Sequence, residues 1–112
     1  MLKKPTKVPS KTDWAWAAGV YEGEGSAQLR PTTTYCCVVQ KDPWLIKKFL
    51  ALFGGNIFIQ NRGRNTQLHR WYLTGPSARK FLKVVSPMLS PWRKKQARKA
   101  IGRFRTSTEV TQ

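Results

Sequence analysis

Acidic residues are scarce in this chain: five Asp and Glu stand against 21 Lys and Arg in 112 residues, a formal charge of +16. Between Pro43 and Thr108 there is no acid at all, while fifteen basic residues fall in that window. A domain so depleted in one sign is built to meet a polyanion, and nucleic acid is the leading candidate. Histidine occurs once and cysteine twice, which excludes a single-chain structural zinc site and the paired histidines of a His-rich metal nuclease. Cys36 and Cys37 are adjacent, and neighbouring side chains in a strand point to opposite faces, so no disulfide framework is available. His69, between Leu68 and Arg70, reads as an ordinary strand residue. No acid is followed two residues later by Lys, which removes the carboxylate–lysine pairing of many restriction-type nucleases. Long apolar runs are also missing, with nothing near the roughly 18 residues that a membrane helix needs. The start, MLKKPTKVPSK, is basic with no apolar stretch behind it. The expectation is an intracellular protein of a reducing, DNA-containing compartment, cytoplasm or organelle, with neither a membrane partner nor a small-molecule substrate.

Aromatic residues are plentiful, with five Trp, five Phe and three Tyr in a chain that is 40% hydrophobic. That suits one compact domain and is too apolar for a disordered basic tail. Residues 1–11, with four lysines and two prolines and no periodicity, read as a basic flexible arm able to lie along phosphates. Residues 12–105 read as the single domain and 106–112 as a polar tail.

A first helix follows the arm, capped by Thr12 or Asp13, with Trp14, Ala17 or Ala18, and Tyr21 on its apolar face. Glu22-Gly23-Glu24-Gly25 ends it. Ser26 to Arg30 and Tyr35 to Gln40 read as a hairpin. Asp42 caps a second helix with Pro43 at its first position and Trp44, Leu45, Phe49, Leu52 and Phe53 as apolar residues, stopped by Gly54-Gly55. Asn56 to Arg62 and Gln67 to Thr74 form a second hairpin about Gly63. Gly75-Pro76-Ser77 opens a third helix through about Leu89, with Phe81, Leu82, Val85 and Leu89 inward. A basic helix from Trp92 to Phe104 completes the chain.

The order predicts an α+β fold, with one four-stranded antiparallel sheet of mixed strand order carrying helices on one face and leaving the other open. Alternation puts Ser26, Gln28, Arg30, Gln60, Arg62, Arg70 and Tyr72 on the open face and Ala27, Leu29, Ile57, Ile59, Trp71 and Leu73 toward the core. A row of Gln, Arg and Tyr suits base-edge readout in a groove; the plainer alternative is that any half-exposed strand is polar outside.

Two of the five acids lie in Ala17-Ala18-Gly19-Val20-Tyr21-Glu22-Gly23-Glu24-Gly25-Ser26. Carboxylates at a helix C-terminus have the wrong sign for the helix dipole, so local stability does not explain them. Hard divalent cations take carboxylate oxygens and bridge them to phosphates, which would explain them. The competing explanation is that Glu22 caps or pairs with a Lys and that Glu24 only occupies a glycine turn. Gly19, costly within a helix by roughly 1 kcal/mol, lies near Ala15 and Ala18, which suggests close approach of another helix.

Ala17 to Gly25 resembles the nine-residue signature of the LAGLIDADG homing endonucleases, with Ala18-Gly19 at its AG pair and Glu22-Gly23-Glu24-Gly25 at its D-A-D-G end. The element order is similar to that family's αββαββα unit. Val38-Val39-Gln40-Lys41, Gly54-Gly55, Asn61-Arg62-Gly63, Trp71-Tyr72-Leu73-Thr74 and Leu89 through Lys95-Gln96-Ala97 extend the likeness from about Asp13 to Phe104. The sequence departs from the signature in Ala17 where Leu is usual and in Glu for Asp at both acids.

The resemblance implies a site-specific double-strand DNA endonuclease, intron-homing in type, that hydrolyses phosphodiesters with magnesium or manganese, calcium serving as a non-cleaving substitute. Glu24 matches the family's metal-binding carboxylate and the Gly23 carbonyl a second metal contact. Gln40 matches a polar residue that positions water. Arg93, with Lys95 as runner-up, matches a basic residue that stabilises developing charge. One signature per chain implies a homodimer on a pseudo-palindromic site, packed through Ala15, Ala18, Gly19 and Glu22. Ser26, Gln28, Arg30, Gln60, Arg62, Arg70 and Tyr72 are the expected DNA contacts, and Lys47 and Lys48, with the arm and the last helix, are expected to add phosphate affinity. The alternatives are a non-cleaving sequence-specific DNA-binding regulator or intron RNA splicing factor on the same fold, or a general RNA binder.

Overall fold

The computed structural model describes residues 3–31, 33–63 and 66–110, the last eight through their backbone alone. Helix α1 (Lys11–Glu24) leads into the hairpin β1 (Gly25–Arg30) and β2 (Thr33–Gln40), then α2 (Pro43–Phe53), the hairpin β3 (Asn56–Asn61) and β4 (Gln67–Thr74), α3 (Gly75–Val85), a 3-10 turn (Ser86–Met88) and α4 (Pro91–Val110). All strand pairs are antiparallel and the sheet order is β1-β2-β4-β3. The expected α+β architecture, αββαββα with a final helix, is the one observed.

Why these residues form these elements can be followed at their ends. Ser10 and Asp13 make a reciprocal capping box at α1, each side chain accepting the other's backbone N–H. The cap is therefore Ser10, one residue before the helix, in place of the Thr12 or Asp13 expected. Asp42 caps α2 by accepting the Trp44 N–H at 2.9 Å, and Pro43 fills the first helical position, where its missing N–H costs nothing. Gly54 and Gly55 follow α2 at φ of 70° and 104°, and a side chain on Gly55 would meet the Tyr72 carbonyl.

Trp71, at the middle of β4, is fully buried against Phe49, Phe53 and Phe81, and its indole N–H donates to the Gly54 carbonyl at 2.7 Å. The α2 terminus is thus tied to the sheet. Thr34, also fully buried, donates its hydroxyl to the Ala100 carbonyl at 2.8 Å and fixes α4 on β2. Ala17, Ala18, Tyr21, Ile46, Leu82, Val85 and Ala97 complete the core between helices and sheet.

Within the lysine-rich start, Lys3 and Gly55 exchange backbone hydrogen bonds at 2.9 Å, and Thr6 N–H reaches the Ala51 carbonyl. Several expectations need correction. Helix α3 stops at Val85, short of Leu89, because Pro87 has no N–H to continue the ladder. Helix α4 runs past Phe104, and the side chains of the expected tail, 106–112, lie outside the described residues. Ile59, assigned to the core, is 51% exposed on the edge strand β3, next to Phe58 at 54%. Trp44 is 61% exposed, and Ile46 takes the buried place on α2.

Candidate nucleic-acid interface

The pairing register fixes which side chains share the open face. Ser26 pairs with Cys37, Gln28 with Tyr35 and Arg30 with Thr33, while Arg70 lies opposite both Val39 and Phe58, and Tyr72 opposite Cys37 and Asn56. Trp71 and Val38, pointing the other way, are core residues. The open face therefore carries Ser26, Gln28, Arg30, Tyr35, Cys37, Phe58, Gln60, Arg70 and Tyr72. All the expected contacts on β1, β3 and β4 lie there except Arg62, which follows β3 in the turn and bonds its N–H to the Thr66 carbonyl.

Tyr35 is the residue that sequence reasoning passed over. Although on the open face, it is only 6% exposed, because neighbours cover it. The Arg30 guanidinium carbon sits 3.9 Å from its ring centroid, Tyr72 stacks on it at 5.8 Å, and Arg70 donates to its hydroxyl at 3.1 Å. The same Arg70 nitrogen lies 3.8 Å from the Cys37 sulfur. Burial pushes the Tyr35 phenol pKa up; the hydrogen bond to that phenol pushes the Arg70 guanidinium up, holding it charged. Phe58, 54% exposed beside this group, was also missed. Register alone would have shown both, since each alternates onto the face of a predicted contact.

At one end of the sheet, α1 turns directly into β1. Gly25 pairs with Val38, so Glu24 leaves the helix at the sheet end where β2 closes on Gln40. Glu24 is exposed and has no hydrogen-bond or ion-pair partner among the described residues. Glu22, two residues earlier, is fully engaged. One carboxylate oxygen accepts the Ser90 N–H at 2.8 Å and the other the Ser90 hydroxyl at 2.7 Å. Those bonds, the backbone one first, hold its pKa below the usual carboxylate range. Arg93 donates through Nε to the Glu22 carbonyl at 3.0 Å and through Nη1 to Gln96 at 3.0 Å, a cation at the negative end of α1.

Gly23 and Glu24 at the end of α1, and Arg93, bonded to the Glu22 carbonyl, thus lie at the end of the sheet where β2 also ends in Gln40. Lys95 lines a groove between β1 and α4 with Ala27, Gln28, Trp92 and Lys99. The Gln40 side chain accepts the Lys41 N–H at 3.2 Å. Of the residues expected at a helix–helix contact, Ala15 and Gly19 are exposed, whereas Ala18, 3% exposed, packs inside the protomer and Glu22 is held by Ser90. Gly23, unassigned to that contact, extends the exposed strip by one turn. Lys47 and Lys48 lie on α2 in the helical layer behind the sheet, and the Lys48 ammonium rests 4.2 Å from the Trp16 ring.

Among the described residues no three His, Cys, Asp or Glu gather into a metal-binding group, and no helix is long and apolar enough to cross a membrane. No family model matches the chain, and no curated protein matches its sequence. Solved structures do match. The homing endonuclease I-CvuI bound to the I-CreI target in the presence of magnesium, with the DNA not cleaved, superposes with a TM-score of 0.62 at 19% identity over 82% of this chain. I-CvuI bound to its own target in calcium gives 0.59 at 17% identity over 81%. The chain spans only 65% and 64% of the length of those two. At such identity the likeness is one of architecture: the chain has the fold of a LAGLIDADG homing endonuclease.

Proposed function

We propose that the protein is a homodimeric, divalent-metal-dependent, site-specific double-strand DNA endonuclease. The observation that carries this reading is Glu24: an exposed carboxylate without a partner among the described residues, at the end of an open, cation-bearing sheet face, in a chain of charge +16. Asp13 and Asp42 cap helices and Glu22 binds Ser90, so the neighbouring acids have structural roles that Glu24 lacks. I-CvuI, whose fold the chain shares, is a DNA-bound homing endonuclease.

The donors at this end suit a hard cation, since the Glu24 carboxylate and the adjacent Gly23 carbonyl are oxygen ligands. One carboxylate per chain is too few, which makes a second copy, packed along Ala15, Gly19 and Gly23, the natural source of the other. A divalent cation held there supplies charge neutralisation at the scissile phosphate and an acidified water. The chain does the rest. Its open face lies along the major groove and places Gln28, Arg30, Gln60 and Arg70 at base edges. Gln40 orients water by hydrogen bonding. Arg93 holds the α1 terminus through the Glu22 carbonyl and adds positive potential where phosphate negative charge develops.

The test is cleavage of a randomised duplex library with and without millimolar magnesium, followed by sequencing of the ends. Metal-dependent ends at one roughly two-fold-symmetric sequence are expected. Selective retention of one sequence without cutting would overturn the nuclease and favour a regulator.

A further inference from the structure

The most organised polar cluster outside the α1 terminus is centred on Tyr35. Its ring and hydroxyl contact two arginines that come from different strands and flank it on the open face. Arg30, on β1, lies diagonal to it across the β1–β2 pair and stacks at 3.9 Å. Arg70, on β4, runs back along the sheet from the level of Val39 to reach the Tyr35 hydroxyl at 3.1 Å, passing Cys37. Tyr72 stacks on the same ring from β4 at an interplanar angle of 29°.

Two guanidinium groups of like charge would separate on a solvated sheet, and a long Arg side chain loses rotamer freedom whenever it is held. Here a single phenol ring anchors both. Among the described residues no carboxylate takes part to neutralise either cation, and each guanidinium has N–H donors that Tyr35 does not use. This is preorganisation of two positive, planar, bidentate donors on the surface that faces the ligand.

We infer that Tyr35 is a positioning residue for sequence readout: it presets Arg30 and Arg70 to read guanines in the major groove of the target duplex, where an Arg fork matches the O6 and N7 acceptors. The inference rests on the DNA-binding reading above and deepens it. Tyr35 touches no base; it acts through the two arginines. Of the two arginines, the hydroxyl bonds Arg70 and the ring stacks under Arg30, so the two functions separate genetically.

The experiment is selection of bound duplexes from a randomised library in calcium by the full-length wild-type chain and by Tyr35→Phe, Arg70→Ala and the double variant, with melting curves for each. Tyr35→Phe keeps the stacked ring and is expected to melt like wild type. It should lose roughly tenfold in preference for guanine at one position per half-site while leaving the other positions and non-specific affinity intact. Arg70→Ala should lose the same position, and the double variant should add nothing to it. Unchanged guanine preference in Tyr35→Phe, or equal loss at every position, would overturn the inference while leaving DNA binding standing. A wild-type chain that enriches no sequence at all would overturn site-specific readout itself and this inference with it.

Discussion

The Glu22 carboxylate closes on Ser90, the residue just before α4, so that the end of one helix caps the start of another 68 positions later in sequence. Both carboxylate oxygens are satisfied, and the negative charge faces the positive end of α4. Arg93, one turn on, returns the favour by bonding the Glu22 carbonyl at the negative end of α1. The two helices that bracket the candidate site are thereby locked in mutual orientation.

Replacing Glu22 by Gln is expected to lower the melting temperature and to change its pH dependence. Because the folded-state pKa lies below the ordinary carboxylate value, the stabilisation is present above the unfolded pKa and is lost as pH falls through the folded one. Wild type should therefore lose stability relative to Glu22→Gln as melts are taken from about pH 7 to about pH 3, and the two curves should converge at the acid end.

Glu24→Gln should abolish metal-dependent cleavage by at least about a hundredfold, while thermal stability and calcium-supported DNA binding stay the same. The side chain is exposed and has no partner among the described residues, so nothing in the protomer is lost with its charge. A variant that still cuts at the wild-type rate would remove Glu24 from the chemistry.

Glycines on either side of the α1 terminus should respond oppositely to alanine. At Gly19 an added methyl meets nothing within 4 Å in the protomer, so the isolated chain should gain up to about 1 kcal/mol of helix stability. In sedimentation, the same methyl should weaken the proposed dimer, since it stands on the exposed strip. At Gly25 the methyl would enter the Tyr21 ring, and Gly25→Ala should cost about 1–3 kcal/mol in denaturant unfolding.

Thr34→Val should cost about 1–3 kcal/mol, because it leaves the buried Ala100 carbonyl short of a donor at the contact between β2 and α4. Hydrogen exchange should rise first in α4.

Much of this architecture was legible in the sequence because short-range rules decide it. Asp42-Pro43 and Gly54-Gly55 bracket α2 through capping chemistry that needs no tertiary context, and alternation from Ser26 to Arg30 gives the correct faces. The α1 terminus was legible as an unusual pair of acids. The resemblance separated them, with Glu24 at the metal-binding position, but composition and spacing alone did not: the long-range contact with Ser90 is what occupies Glu22. Burial of Tyr35 was likewise hidden, since it arises from Arg30, Arg70 and Tyr72 folding over it, and Ile59 was misplaced because alternation cannot say how much of an edge strand the core covers. The contacts of Lys3 and Thr6 were hidden because they use backbone groups, which carry no side-chain signal.

Three of the acids place their carboxylates at helix starts, Asp13 at α1, Asp42 at α2 and Glu22, from the end of α1, at α4. There they balance partial charges of the backbone a few ångströms away, and the chain keeps a net charge of +16. Two such protomers approaching along α1 repel over a Debye length, about 8 Å in physiological salt. On the homodimeric reading proposed above, assembly should therefore be weak in dilute buffer, and a polyanion lying across both sheets would act as the shared counterion that lets the copies meet, so that duplex binding and dimer formation would become one thermodynamic event.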